Sequence, residues 1–210
     1  LEKMIDFAVQ RYPKKSLATV GFSLSGNVLL KYLGEGRNVP ENISGALAVN
    51  PPVDLRVASD IISRKWSCTL FNKYYMRLIR NQAVALVKQF PSAFNPLKNL
   101  KTIWDFDVSY TAPAGGFKDV DDYYDQSSSK QFLQGIKIPT SILSAEDDPF
   151  VPGYLFDQAV MSEMVDLYKP ENGGHMGYIS RHATSHGDRR WMDYAVLEWI
   201  RELHESGGNP

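Results

Sequence analysis

The stretch Leu17-Ala-Thr-Val-Gly-Phe-Ser-Leu-Ser25 decides the fold. Its first six residues form an apolar run with β-branched members, the pattern of a strand buried in a parallel sheet. Just beyond it, Val28, Leu29, Leu30 and Leu33 return at helical spacing, and Gly34 and Gly36 mark a stop. A buried strand that turns at once into a helix, with Gly-Phe-Ser-Leu-Ser across the corner, is the setting of a nucleophile elbow. There the nucleophile's backbone is strained and strand and helix nearly touch, so the residues two before and two after it must be small. Gly21 and Ser25 meet that condition around Ser23. Around Ser25 the flanking residues are Ser23 and Asn27, and Asn27 fits poorly, so Ser23 is the candidate nucleophile. Gly and Ser also serve simply as turn and helix cap, so the reading depends on partners elsewhere.

Outward from the corner, Leu1, Met4, Ile5, Ala8 and Val9 share one helical face before Pro13, which predicts an opening amphipathic helix. Ile43 to Val49 reads as a second buried strand, closed by Asn50-Pro-Pro52. Such helix–strand alternation argues for a parallel sheet covered by helices. From Asp54 to Lys137 no strong buried strand occurs, and long helical stretches carry Phe71, Tyr74, Tyr75 and Phe90, the composition of an inserted helical cap. The strand pattern resumes at Pro139 to Ser144. A helix over Tyr154 to Val160, a strand over Met164 to Tyr168, a helix over Arg189 to Leu203 and a loose tail from Glu205 to Pro210 follow. The predicted organisation is a core over 1–53 with the elbow, a helical cap over 54–137, and the rest of the core over 138–210.

A nucleophilic serine needs a base, and the base needs a third group to hold its tautomer. Residues Ala145-Glu-Asp-Asp-Pro-Phe-Val-Pro152 place carboxylates just past a strand's C-terminal end, where open α/β sheets bind ligands. Asp148 is preferred to Asp147 because Pro149 fixes the chain beside it and it lies deeper in the loop; Asp147 reads as a turn former. After the last strand, glycines on both sides of His175 in Glu171-Asn-Gly-Gly-His-Met-Gly177 let that loop fold back toward the serine. His182 and His186, four apart, lack carboxylate or cysteine partners at metal-site spacing and read as a solvated loop. His204 reads as a surface residue. Asp105 and Asp107 read as turn caps, Asp119, Asp121, Asp122 and Asp125 as an acidic helix start, and Cys68 as core.

With 210 residues, 43% of them hydrophobic, the chain is long enough for one sizeable core plus elaborations. Twenty-three basic against twenty-four acidic residues give a net charge of -1, and neither sign forms a long run. That argues against nucleic acid or an anionic membrane as partner and suits a small neutral substrate. Cys68 is the only cysteine, so no internal disulfide forms and a cytoplasmic setting is expected. No apolar run approaches the roughly 18 to 20 residues of a membrane span.

Taken together, Gly21-Phe-Ser-Leu-Ser-Gly-Asn27, Thr102-Ile-Trp-Asp-Phe-Asp107, Gly116-Phe-Lys-Asp119, Asp122-Tyr-Tyr124, Asp147-Asp-Pro-Phe150, Gly173-Gly-His-Met-Gly177 and Trp191-Met-Asp193 resemble the α/β-hydrolase-domain (ABHD) esterases and their bacterial YheT-type relatives. The resemblance implies an α/β-hydrolase fold with an inserted helical cap and the triad Ser23, Asp148 and His175. It implies hydrolysis of esters of short to medium acyl chains or of acylglycerols, with no cofactor and no metal. Acyl transfer to alcohols on the same machinery is the alternative, and a non-catalytic scaffold the rival from another class. Two departures stand out. Relatives usually have Gly where Ser25 stands. They also carry about four strands and a His-Gly oxyanion loop ahead of the elbow, whereas one helix and one strand precede it here. The expectation is therefore a sheet of about four strands with Leu17–Phe22 at an edge, open or completed by a second chain. The backbone N–H of Leu24 is then the oxyanion donor this chain supplies; one such donor contributes about 2.7 to 4 kcal/mol.

Overall fold

The computed structural model describes residues 1–90 and 100–207. These divide into two compact units, 1–53 with 128–210 and 54–127.

In the first unit, α1 (Glu2–Arg11), β1 (Leu17–Phe22), α2 (Leu24–Gly34) and β2 (Ile43–Val49) follow in order; β3 (Thr140–Leu143), α8 (Tyr154–Asp157), β4 (Val165–Tyr168) and α9 (Trp191–Gly207) complete it. The four strands form one parallel sheet in the order β1-β2-β3-β4. Alternation along the central strand β2 decides which helix covers which face. Leu47 and Val49 point into an apolar cluster with Val20, Leu143, Trp191, Val196 and Trp199, under α9. Ala48 points the other way, where its small side chain lets Gly26 of α2 approach. β2 is almost wholly buried and β4 alternates half-buried with exposed, as an edge strand should. β1 pairs with β2 alone among the described residues and is the other edge, in keeping with the expected four-stranded sheet.

The second unit contains α3 (Leu55–Arg64), α4 (Thr69–Gln89), α5 (Ile103–Phe106), a π-helical turn (Asp107–Thr111), α6 (Ala112–Ala114) and α7 (Val120–Ser127). No strand occurs among its described residues. Asp54 caps α3 by accepting from the Val57 N–H at 3.1 Å, and Arg56 holds Asp121 and Asp125 of α7.

Two expectations are corrected. The cap boundary falls after Ser127, not at Lys137. A 3-10 turn over Lys130–Gly135 tucks against α2 at Gly34, and the Asn27 side chain accepts from the Ser129 N–H at 2.9 Å, so this segment belongs to the sheet unit. The opening helix expected before Pro13 is α1; on its apolar face Ile5 is buried and Ala8 and Val9 half-buried, while Met4 is 70% exposed. The final helix runs through Gly207 into the stretch expected as a tail; residues 208–210 lie outside the described residues.

Candidate active site

The corner after β1 forces Ser23 into positive φ, at φ +51° and ψ −124°. Such a conformation persists only where its surroundings hold it. The Ser23 N–H donates to the Val49 carbonyl at 2.8 Å, and the Ser23 carbonyl accepts from Gly26 and Asn27 of the first turn of α2. A Cβ on Gly21 would stand 2.7 Å from Gly26 Cα and the Ser25 carbonyl, so strand and helix are as close as the corner requires. The closeness bears on Gly26 and on the backbone of Ser25. The Ser25 side chain itself turns back: its hydroxyl donates to the Phe22 carbonyl at 2.7 Å and accepts from the Phe22 N–H at 2.9 Å. Leu24 opens α2, so its N–H has no acceptor within the helix and lies at the positive end of the helix dipole.

Asp148 and His175 come to this corner from the loops after β3 and β4. Ser23 Oγ lies 2.8 Å from His175 Nε2, and His175 Nδ1 lies 2.7 Å from Asp148 Oδ2. A carboxylate can only accept, so Nδ1 carries the proton and Nε2 offers its lone pair to the serine hydroxyl. The Asp148 side chain is fully buried, and its other oxygen, Oδ1, accepts from the N–H groups of Phe150 and Val151 at 3.0 and 2.9 Å. The Phe150 ring lies 4.1 Å from the imidazole, centre to centre, and shields it on one side.

Asp147 does not reach the histidine ring. It accepts instead from the N–H groups of Gly173 and Gly174 at 2.8 and 2.6 Å, tying the acid loop to the base loop. Asn50, at the tip of β2, also enters the site: its Nδ2 donates to Asp148 Oδ2 at 2.6 Å and to the Gly174 carbonyl at 2.8 Å, while its Oδ1 accepts from the Tyr178 hydroxyl. Burial first, and then the charges of Asp148 and Asp147, hold the Tyr178 phenol above its ordinary range, so it stays protonated as the donor. Sequence reading passed over these two. The available signal was the position of Asn50, a polar residue at the C-terminal end of a buried strand beside the elbow.

The remaining candidates fall elsewhere. Asp105 forms a capping box with Thr102 at the start of α5, and Asp119 caps the first turn of α7, as turn readings require. Asp107 departs from its reading. It is buried and accepts from the Tyr124 and Thr111 hydroxyls, both at 2.8 Å, and burial pushes its carboxyl above the usual range. Cys68 is buried. His182, His186 and His204 are exposed, and among the described residues no cluster of three or more His, Cys, Asp or Glu could hold a metal ion. Nor is any described helix long and apolar enough to cross a membrane. Of the aromatics of the helical unit, Tyr74 and Phe90 are more than half exposed. A hollow of about 220 Å³ within that unit is lined by residues including Leu86, Phe106 and Tyr110.

Residues 1–181 match the family described as alpha/beta hydrolase fold. Similar sequences include a monoacylglycerol lipase of Saccharomyces cerevisiae, 28% identical over 208 residues covering 93% of this chain and 44% of the relative. YheT of Escherichia coli is 30% identical over 195 residues, covering 90% of this chain and 56% of the relative. The chain thus spans about half the length of these relatives. Among solved structures, an alpha/beta fold family hydrolase from Bacillus anthracis is similar in fold, with a TM-score of 0.50 at 16% identity, covering 96% of this chain and 72% of that one. The strained serine at a strand-to-helix corner, its parallel sheet and the match over 181 of 210 residues agree: the chain belongs to the α/β-hydrolase fold family, in the branch of the ABHD and YheT-type proteins.

Proposed function

We propose that the protein is a serine hydrolase that cleaves carboxylic esters of short to medium acyl chains, or acylglycerols, through an acyl-enzyme. The observation that carries the reading is the unbroken chain from Ser23 Oγ to His175 to Asp148, with both contacts under 3 Å. His175 Nε2 takes the hydroxyl proton as Ser23 Oγ attacks the ester carbonyl. The imidazolium so formed is stabilised by the Asp148 carboxylate and returns the proton to the departing alkoxide, leaving an acyl-Ser23 ester and free alcohol. Water then attacks that ester, deprotonated by the same base, and releases the carboxylic acid. The Leu24 N–H and the N-terminal end of α2 face the developing oxyanion. The similarity to a monoacylglycerol lipase supports an acylglycerol as substrate class.

The test is labelling of the protein with a fluorophosphonate probe. Mass spectrometry is expected to place the adduct on Ser23, and Ser23→Ala to abolish it. An adduct on Ser25, or labelling that survives Ser23→Ala, overturns the assignment.

A further inference from the structure

The acid and the base loop share one buried side chain, that of Asn50. It sits at φ +45°, in the left-handed region that Asn tolerates better than most residues, and is fully buried. Its backbone N–H donates to the Leu143 carbonyl at 2.7 Å, fixing its Cα to the end of β3. Both neighbours of its Nδ2, the Asp148 carboxylate and the Gly174 carbonyl, are acceptors only, and the neighbour of its Oδ1 is the Tyr178 hydroxyl. Two donors on one atom and an acceptor on the other are what a carboxamide supplies. An aspartate here would set a second carboxylate against Asp148; a flipped amide would set its oxygen against two others. Tyr178 holds Oδ1 in place by donating to it.

We propose that Asn50, oriented by Tyr178, is a positioning residue for the reaction. It fixes the rotamer of Asp148, shares the charge of Oδ2 with His175, and pins the backbone at Gly174, next to the base. The proposal rests on the triad reading above. Oδ2 receives two donors, His175 Nδ1 and Asn50 Nδ2. Removing the amide leaves that oxygen to the imidazole alone, so the imidazolium is held more strongly and protonation of the base competes at higher pH. The same removal frees the base loop from one of its ties, which lowers turnover without touching substrate.

The experiment compares wild type, Asn50→Ala and Tyr178→Phe. Readouts are the fluorophosphonate labelling rate, kcat and KM on a short-chain ester, the pH profile of kcat/KM, and the thermal midpoint. Asn50→Ala is expected to lower kcat and the labelling rate by roughly tenfold or more with KM changed by less than about twofold. The acid limb of its profile is expected to move to higher pH. Tyr178→Phe, which keeps the ring packing against Trp191, is expected to move both quantities in the same direction by less. It decides the matter should Asn50→Ala fail to fold. Wild-type kcat and pH profile in a folded Asn50→Ala, or in Tyr178→Phe if that is the variant available, overturn the proposal while wild type still labels. A lowered thermal midpoint with an unmoved profile also overturns it, because that is the mark of a structural role alone. Failure of wild type to label at Ser23 overturns the triad reading instead.

Discussion

At the scale of single residues, each carboxylate after β3 has its own task. Asp148 has four N–H donors directed at its two oxygens, from Phe150, Val151, Asn50 and His175. Asp148→Asn keeps the shape but sets an NH₂ group against Nδ1 or turns the ring to the wrong tautomer, and kcat is expected to fall by about 10⁴-fold. Steady-state ester hydrolysis measures this. Asp147→Ala releases two loop N–H groups and is expected to cost about tenfold in kcat, equivalent to one charge-assisted hydrogen bond, with labelling still at Ser23. Ser25→Ala is expected to label at a rate near that of wild type, since its hydroxyl is committed to the Phe22 backbone. Sequence alone separated Ser23 from Ser25 by the size of flanking residues, which is a local property. It read Asp147 as a turn former because the groups it binds, Gly173 and Gly174, lie 26 and 27 positions away. Asn50 stayed hidden for the same reason: its partners are brought to it by the fold.

At the scale of elements, the β1–α2 corner tolerates no extra atom at Gly21. Gly21→Ala places a methyl group 2.7 Å from backbone atoms that cannot swing aside, so the helix must shift. An overpacking cost of about 1 to 3 kcal/mol is expected in denaturant unfolding, together with slower labelling, because the helix that moves carries Ser23 at its cap. In the helical unit, Asp107 sits buried among hydroxyls of Tyr124 and Thr111, with Tyr123 nearby, whose own phenol is pushed up to about 12 by burial and by that carboxylate. Its folded-state carboxyl titrates above the ordinary value. From the ordinary range up to the raised one the native state therefore binds more protons than the unfolded chain, and stability falls as pH rises through that window. Asp107→Asn is expected to flatten this slope, as followed by thermal unfolding at a series of pH values. The Trp104 to Tyr124 run, which offered no catalytic logic as letters, acquires a structural one here: Trp104 packs against Tyr124, which holds Asp107. Strands β1 and β2 were legible to the residue because their apolar runs are short, carry β-branched residues and are bounded by turn residues. The cap boundary was not, because a 3-10 turn leaves no apolar period to find.

At the scale of the whole chain, the sheet ends at β1 with a strand of low charge, and Phe22, Leu24 and Val28 are exposed beside it. Natural edges are blunted by lysine, proline or a bulge. The one register irregularity lies opposite Leu17 and Ala18, at the far end from the serine, and its extra residue, Ser44, is on β2. The 210-residue chain by itself is expected to self-associate with rising concentration, and Ala18→Lys to suppress this, as read by sedimentation velocity. Periodicity could tell that α1 has an apolar face, yet not whether anything in this chain covers it, and Met4 is exposed for that reason.

The hydroxyl of Ser25 gives that edge a definite end. The N–H groups of Leu17 and Ser23 point toward the β2 side, to Asn42 and Val49, so by alternation Ala18, Val20 and Phe22 present their N–H and C=O outward. At Phe22 both groups are already taken by Ser25 Oγ. Any strand that anneals alongside must therefore break its ladder after Val20, one residue pair short of the corner, and the space over Ser23 stays unroofed by backbone. Amide hydrogen exchange makes this visible. In the monomeric chain the Phe22 amide is expected to exchange more slowly than those of Ala18 and Val20, and Ser25→Gly to erase the difference.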